Sequence, residues 1–88
     1  MTTNAQQTHL ICAILDTKAG IYDQPRLFRT NADFIRALQV AAKNPETMFN
    51  KFPADYDLCV IGKWSEQDGI MDTTSQRLGS VLDLCPLN

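Results

Sequence analysis

Asn44–Ile70, NPETMFNKFPADYDLCVIGKWSEQDGI, holds a helix start, a proline and aromatic corner, a strand and a turn in succession. Asn44-Pro45-Glu46 reads as an opening helical turn, with Asn44 as N-cap, Pro45 at the first helical position and Glu46 near the positive end. A turn or two carrying Met48 and Phe49 reaches Lys51, and Phe52-Pro53 ends it. Tyr56 to Trp64 then alternates as a strand, with Tyr56, Leu58, Val60 and Trp64 on one face and Cys59 and Ile61 on the other. Ser65 to Gly69 reads as a hairpin-like loop in which Gly69 suits a positive φ. Ile70-Met71 begins a short return strand.

Upstream, Pro45 disfavours helical geometry at Asn44 and so stops the helix before it. Thr30 caps that helix, and Asp33 partly completes a capping box and suits the positive end of the dipole. At about 100° per residue, Phe34, Ile35, Ala37, Leu38, Ala41 and Ala42 share one face, while Arg36, Gln39 and Lys43 share the other. His9 to Leu15 is apolar on both alternating faces, which predicts a central strand. Asp16 to Gly20 turns the chain into Ile21-Tyr22 and Arg26-Leu27-Phe28. Pro25 between them predicts an edge strand or a broken one, because proline donates no ladder bond. Downstream, Asp72 to Arg77 reads as a loop, and Leu78 to Leu84 as a last strand or a docking tail. The expectation is an α+β fold in the order ββαββ: a small antiparallel sheet, one main helix packed on one face, and an extra short helical turn before the third strand. Two hairpins joined through the helix put the first and third strands in the middle. Residues 1–8 are expected to be a flexible polar tail, 9–84 a single domain and 85–88 a C-terminal tail.

With 88 residues and 44% hydrophobic side chains, one small core is expected, and self-association would help it. Eight Lys and Arg against ten Asp and Glu give a formal charge of −2, unlike a broad electrostatic binder of nucleic acid. Cys12, Cys59 and Cys85 form no close ligand pair, so no metal or other cofactor is expected. Cys12 and Cys59 lie in apolar runs that predict burial, and Cys85 beside Pro86 is expected to be more exposed. Free cysteines fit a reducing, intracellular setting. No secretory signal and no membrane span are expected.

The run Leu15-Asp16-Thr17-Lys18-Ala19-Gly20 with Tyr22 and Gln24-Pro25 forms one motif group. Ile35-Arg36-Ala37, Ala41 and Asn44-Pro45-Glu46 form a second. Lys51, Pro53, Asp55-Tyr56-Asp57-Leu58, Ile61-Gly62 and Asp68-Gly69-Ile70 form a third, followed by Leu78-Gly79. In this order and spacing they resemble the small nonstructural protein of gokushoviruses and related Microviridae, tailless single-stranded-DNA phages. The resemblance covers roughly residues 10–80. It implies a protein of the host bacterial cytoplasm that is absent from the mature virion. It also implies a counterpart of the small phage protein that turns DNA synthesis from duplex replication toward single strands and packaging. No catalytic motif carries over. The polar N-terminus and the Cys85-Pro86 ending depart from the family pattern.

Lys18, Arg26 and Arg29 lie on or near the first hairpin, and Arg36 and Lys43 on the helix. Together these five are the candidate contacts for single-stranded DNA, with strand aromatics as stacking platforms. Equally, Arg36 and Lys43 occupy a solvated helix face. Asp16, Asp23, Asp55, Asp57, Glu66, Asp68 and Asp72 read as turn formers, and His9 has no nucleophile at a motif spacing, so no enzyme is expected. One helix covers only one sheet face. The other is expected to be partly apolar and to meet a second copy or a partner, with Tyr22, Phe28 and Trp64 as candidate interface residues. Two functions follow: an accessory factor in phage DNA synthesis and packaging that binds DNA or the replication complex, or an adaptor that binds a host or phage protein without touching DNA.

Overall fold

The computed structural model describes residues 8–85. Most of the two expected tails lies outside these residues, but Thr8 and Cys85 belong to the folded unit: Thr8 opens the first strand and Cys85 is buried. Six strands make one antiparallel sheet: β1 (Thr8–Asp16), β2 (Ile21–Tyr22), β3 (Arg26–Phe28), β4 (Tyr56–Ser65), β5 (Met71–Asp72) and β6 (Gln76–Ser80). β1 and β4 pair with each other at the centre. β2 and β3 share the free flank of β1, while β5 and β6 share the free flank of β4. The sheet is therefore the expected pair of hairpins with each outer strand broken in two.

The break between β2 and β3 has a local cause. Pro25 cannot donate to the ladder, and Asp23 takes over part of the bonding. Its backbone N–H donates to Ile14 O at 2.9 Å, and its carboxylate Oδ1 accepts from the Ile14 N–H at 2.7 Å. Asp23 thus satisfies both polar groups of buried Ile14, one through its backbone and one through its side chain.

Three helices follow the caps that their sequences supply. α1 (Asn31–Ala42) starts at Thr30, whose Oγ1 accepts from the Asp33 N–H at 3.1 Å. α2 (Met48–Lys51) is capped by Thr47 rather than by Asn44, with Thr47 Oγ1 accepting from Asn50 N–H at 3.3 Å. Asn44 Oδ1 instead accepts from Glu46 N–H at 2.9 Å, so Asn44 to Glu46 is a turn and the helix begins after it. A 3-10 turn over Pro53–Asp55 leads into β4. The C-terminal segment is both a strand and a helix. β6 takes in Gln76 and Arg77, which sequence had placed in a loop, and α3 (Val81–Leu84) starts on Ser80, whose Oγ accepts from Asp83 N–H.

All three helices pack on one side of the sheet. Phe34, Leu38 and Ala42 of α1 meet Cys12, Ile14, Leu58 and Val60 of the central strands, and Val81 and Cys85 close the cluster. Fully burying a side chain such as Leu58 or Phe34 contributes about 1.5–3 kcal/mol. Cys85 is buried because α3 turns the chain back over α1: the Cys85 N–H donates to Val81 O at 2.8 Å, and Gln39 Nε2 donates to Leu84 O at 3.2 Å. Gln39, expected on the solvated face, is a tie between α1 and α3. Among the described residues no helix is long and apolar enough to cross a membrane.

Candidate functional site

The register of β1 on β4 decides what the helix-free side of the sheet displays. Directly opposed residues of an antiparallel pair point to the same side. Leu10, Cys12 and Ile14 face the helices, so His9, Ile11, Ala13 and Leu15 face away. Ala13 opposes Cys59, and Leu15 opposes Asp57. Between Ile11 and Cys12 the register shifts: Cys12 opposes Val60, whereas Ile11 opposes Gly62. Ile61 is the extra residue of a β-bulge, and a bulge reverses the alternation beyond it. Trp64 therefore opposes His9 on the helix-free face, not on the face of Tyr56, Leu58 and Val60 where simple alternation places it. Its ring lies 5.4 Å from the His9 ring, and His9 Nε2 donates to Glu66 Oε1.

The flanks extend this surface. Tyr22 opposes Leu15, Leu27 opposes Ile11, and Met71 opposes Trp64. Tyr22, Leu27 and Met71 are exposed, while Ile11, Leu15 and Trp64 are half-buried. At the centre, Ala13 and Cys59 are buried although no helix of the described residues lies over them, being small residues flanked by larger ones. A second register shift between Leu58 and Cys59 brings Arg77 opposite Cys59. Its Nε donates to Asp57 Oδ2 at 2.8 Å and its terminal nitrogen to Asp57 Oδ1 at 3.1 Å, a two-bonded pair. The Asp57 side chain is 11% exposed, so Arg77 supplies the partner that a buried carboxylate needs. Sequence reasoning missed this pair and the exposed Leu27 and Met71. An aspartate inside the apolar run YDLCVI was the available signal, because such a group requires a partner.

Phe28 is not on this surface. It opposes Leu10, faces the helices and stacks on Phe34 with ring centroids 5.2 Å apart, so it belongs to the core packing. The five candidate cations are exposed, but the fold distributes them over separate regions. Lys18 follows Asp16 at one end of β1, and Arg29 follows Phe28 near the other, roughly 20 Å away at about 3.4 Å per residue. Arg26 lies between them, its guanidinium 3.6 Å from the Asp23 carboxylate. Arg36 and Lys43 are on the outer side of α1.

The thiols are held protonated. Burial pushes Cys12 up to about 11, the nearby Arg26 opposing it only in part, and burial likewise raises Cys59 and Cys85. Cys12 and His9 face opposite sides of β1, so they do not meet as a nucleophile and base. Among the described residues no group of three or more His, Cys, Asp or Glu side chains is placed to hold a metal ion.

A family model described as Phage ORF5 protein matches residues 9–84. The chain belongs to the Phage ORF5 protein family. The match runs from the second residue of β1 to the last of α3, so the family pattern spans both hairpins, α1 and the C-terminal helix. Membership makes this a bacteriophage protein. No curated protein and no solved structure matches it.

Proposed function

We propose that this Phage ORF5 family member is a non-enzymatic accessory factor in viral single-stranded-DNA synthesis and packaging, and that it docks its helix-free sheet face onto a protein of the replication complex. It acts in the host bacterial cytoplasm and is left out of the mature virion. The observation that carries the reading is the row of Tyr22, Leu27 and Met71 beside Ile11, Leu15 and Trp64 on a face that no helix of the described residues covers. Contiguous apolar surface of this kind marks interaction sites, and Tyr, Trp and Met are enriched in them. The resemblance to the small nonstructural proteins of gokushoviruses and related Microviridae supplies the DNA-synthesis setting.

Charge supports a protein partner over direct DNA contact. Arg77 is committed to Asp57, and Lys18, Arg26, Arg29, Arg36 and Lys43 do not converge on one track for a phosphate backbone. In the free protein the same face would be shared between two copies, and sedimentation at micromolar concentration reads that dimer directly.

A phage genome carrying Leu27→Glu and Met71→Glu tests the proposal, since both positions are about half exposed or more and tolerate charge without loss of the core. The expected result is normal duplex replication with reduced single-stranded genome. Unchanged single-strand yield overturns the docking role. Titration of the purified protein with a labelled single-stranded oligonucleotide tests the other route. Binding that weakens with salt, and weakens again in Arg26→Ala/Arg29→Ala, would replace the docking reading with direct DNA contact.

A further inference from the structure

A cavity of about 290 Å³ lies between the β1–β2 turn and α2, beside the face discussed above, with which it shares Tyr22. Ile14, Ile21, Phe49 and Tyr56 line it with apolar and aromatic surface, and Asp16 and Asp23 contribute two carboxylates. No lysine or arginine lines it. We infer that this cavity is a recognition pocket for an arginine side chain carried on an extended segment of a partner protein. The inference does not rest on the docking role of the helix-free face.

The carboxylates are fixed in place. Asp16 Oδ1 accepts from the N–H groups of Lys18 and Ala19 at 3.0 and 3.1 Å, and Asp23 Oδ1 accepts from the Ile14 N–H. Each aspartate therefore keeps its second oxygen outside the backbone network. Asp23 Oδ2 faces Arg26 only across 3.6 Å, in a pair that both partners leave well exposed. The aromatic wall is fixed as well, because Phe49 and Tyr56 pack edge to face with ring centroids 5.2 Å apart. Burial raises the Tyr56 phenol, and Asp16 and Asp55 add to it in the same direction. A cavity with apolar sides, aromatic rings and net negative charge complements a flat cation on an aliphatic arm. Guanidinium pairs with two carboxylate oxygens and stacks on aromatic faces, whereas an ammonium ion does neither as well.

The edge beside the pocket indicates where the arginine comes from. β2 pairs with β1 on one side and with no strand of the described residues on the other. Its Ile21 is 64% exposed and its Tyr22 46% exposed. An extended segment adding to this edge would cover both residues and direct alternate side chains toward the cavity.

Titration of the ¹⁵N-labelled full chain with the blocked tripeptide acetyl-Ile-Arg-Ile-amide tests the pocket. Saturable shifts are expected at the amides of Ile14, Ala19, Ile21, Phe49 and Tyr56. Citrulline in place of arginine keeps the shape and removes the charge, and should weaken binding about tenfold or more. Asp16→Asn/Asp23→Asn should do the same while keeping a side-chain oxygen to accept from the backbone N–H groups. Ala19→Phe, at an exposed turn position lining the cavity, should block binding without touching either carboxylate. The inference is overturned if no shift saturates by about 10 mM peptide, a range in which even a millimolar complex is detected. Equal binding of the citrulline peptide would also overturn it, as would binding of arginine amide alone as tight as that of the tripeptide, which would mark a site for a free cation.

Discussion

Gly62→Ala probes how the return strand is seated on the sheet. A Cβ built at Gly62 would stand 2.7 Å from the backbone carbonyl oxygen of Asp72, with Ile11 Cδ1 at 3.4 Å and Thr73 Cα at 3.6 Å. An ordinary carbon–oxygen contact is about 3.3 Å or longer, so the two backbones must part by about 0.6 Å. The obstacle is main chain, not the end of a flexible side chain, and it belongs to the ladder in which Lys63 pairs with Asp72 and Trp64 with Met71. Overpacking of this kind costs about 1–3 kcal/mol. A domain of this length has a total stability of about 4–13 kcal/mol, so the variant should fold. A loss of about 2 kcal/mol corresponds to a fall in Tm of roughly 8–16 °C. The only tryptophan, Trp64, lies two residues away and reports the transition by fluorescence in urea. Hydrogen exchange at Met71 and Asp72 separates global loss from local release of the β5 arm. Gly20→Ala is the control: there a Cβ meets nothing within 4 Å, and only the φ of +72° opposes the substitution. If Gly62→Ala unfolds at the wild-type midpoint and keeps its β5 protection, the close approach of Asp72 to Gly62 is wrong.

Thr30→Ala removes the acceptor for the Asp33 N–H and should cost about 1 kcal/mol, read as a lower urea midpoint. Arg77→Met strips both hydrogen bonds from Asp57 and leaves its poorly exposed carboxylate without a partner; the midpoint should fall, and adding Asp57→Asn should recover part of the loss. Alkaline pH should destabilise the fold through its thiols. Unfolded cysteine ionises near 9, whereas folded Cys12 ionises at about 11 and Cys59 and Cys85 are also raised. Across that window the unfolded chain releases protons that the folded chain retains. Stability is therefore full below pH 9 and declines as pH rises toward 11. Urea midpoints at pH 8, 9 and 10 should show the decline, and replacing all three cysteines with alanine should flatten it.

Local chemistry made much of this architecture legible. His9 to Leu15 and Tyr56 to Ile61 carry apolar residues on both faces, which fits a central position. Pro25 announced the broken edge, and Thr30 and Gly69 took the roles that their side chains, or the lack of one, dictate. What escaped depends on pairing between distant segments. The bulge at Ile61 is set by the register of β4 on β1, so alternation within β4 alone put Trp64 on the wrong face. Asp57 and Arg77 meet across strands, with a second bulge deciding the match. Thr47 displaced Asn44 as the α2 cap because Asn44 satisfied the nearer Glu46 amide. Cys85 looked terminal in the sequence, but the short helix begun at Ser80 returns it to the core. The candidate surface was legible as a requirement, one helix for two faces, and of the two readings open to Phe28, interface or core, the fold takes the core one.

The central ladder also has a kinetic consequence. Each hairpin closes over a handful of residues, but β1 and β4 meet only after the roughly 40 residues between Asp16 and Tyr56 are brought round. Relative to a five-residue turn, that closure costs about 2 kcal/mol more in chain entropy. The two outer hairpins and α1 can form locally and early, yet neither hairpin has a buried face until the other arrives. The rate of folding should therefore respond most to substitutions at Ala13, Ile14, Leu58 and Cys59, where the late-meeting halves join. Surface changes in the β5 arm should leave that rate alone and act on unfolding instead.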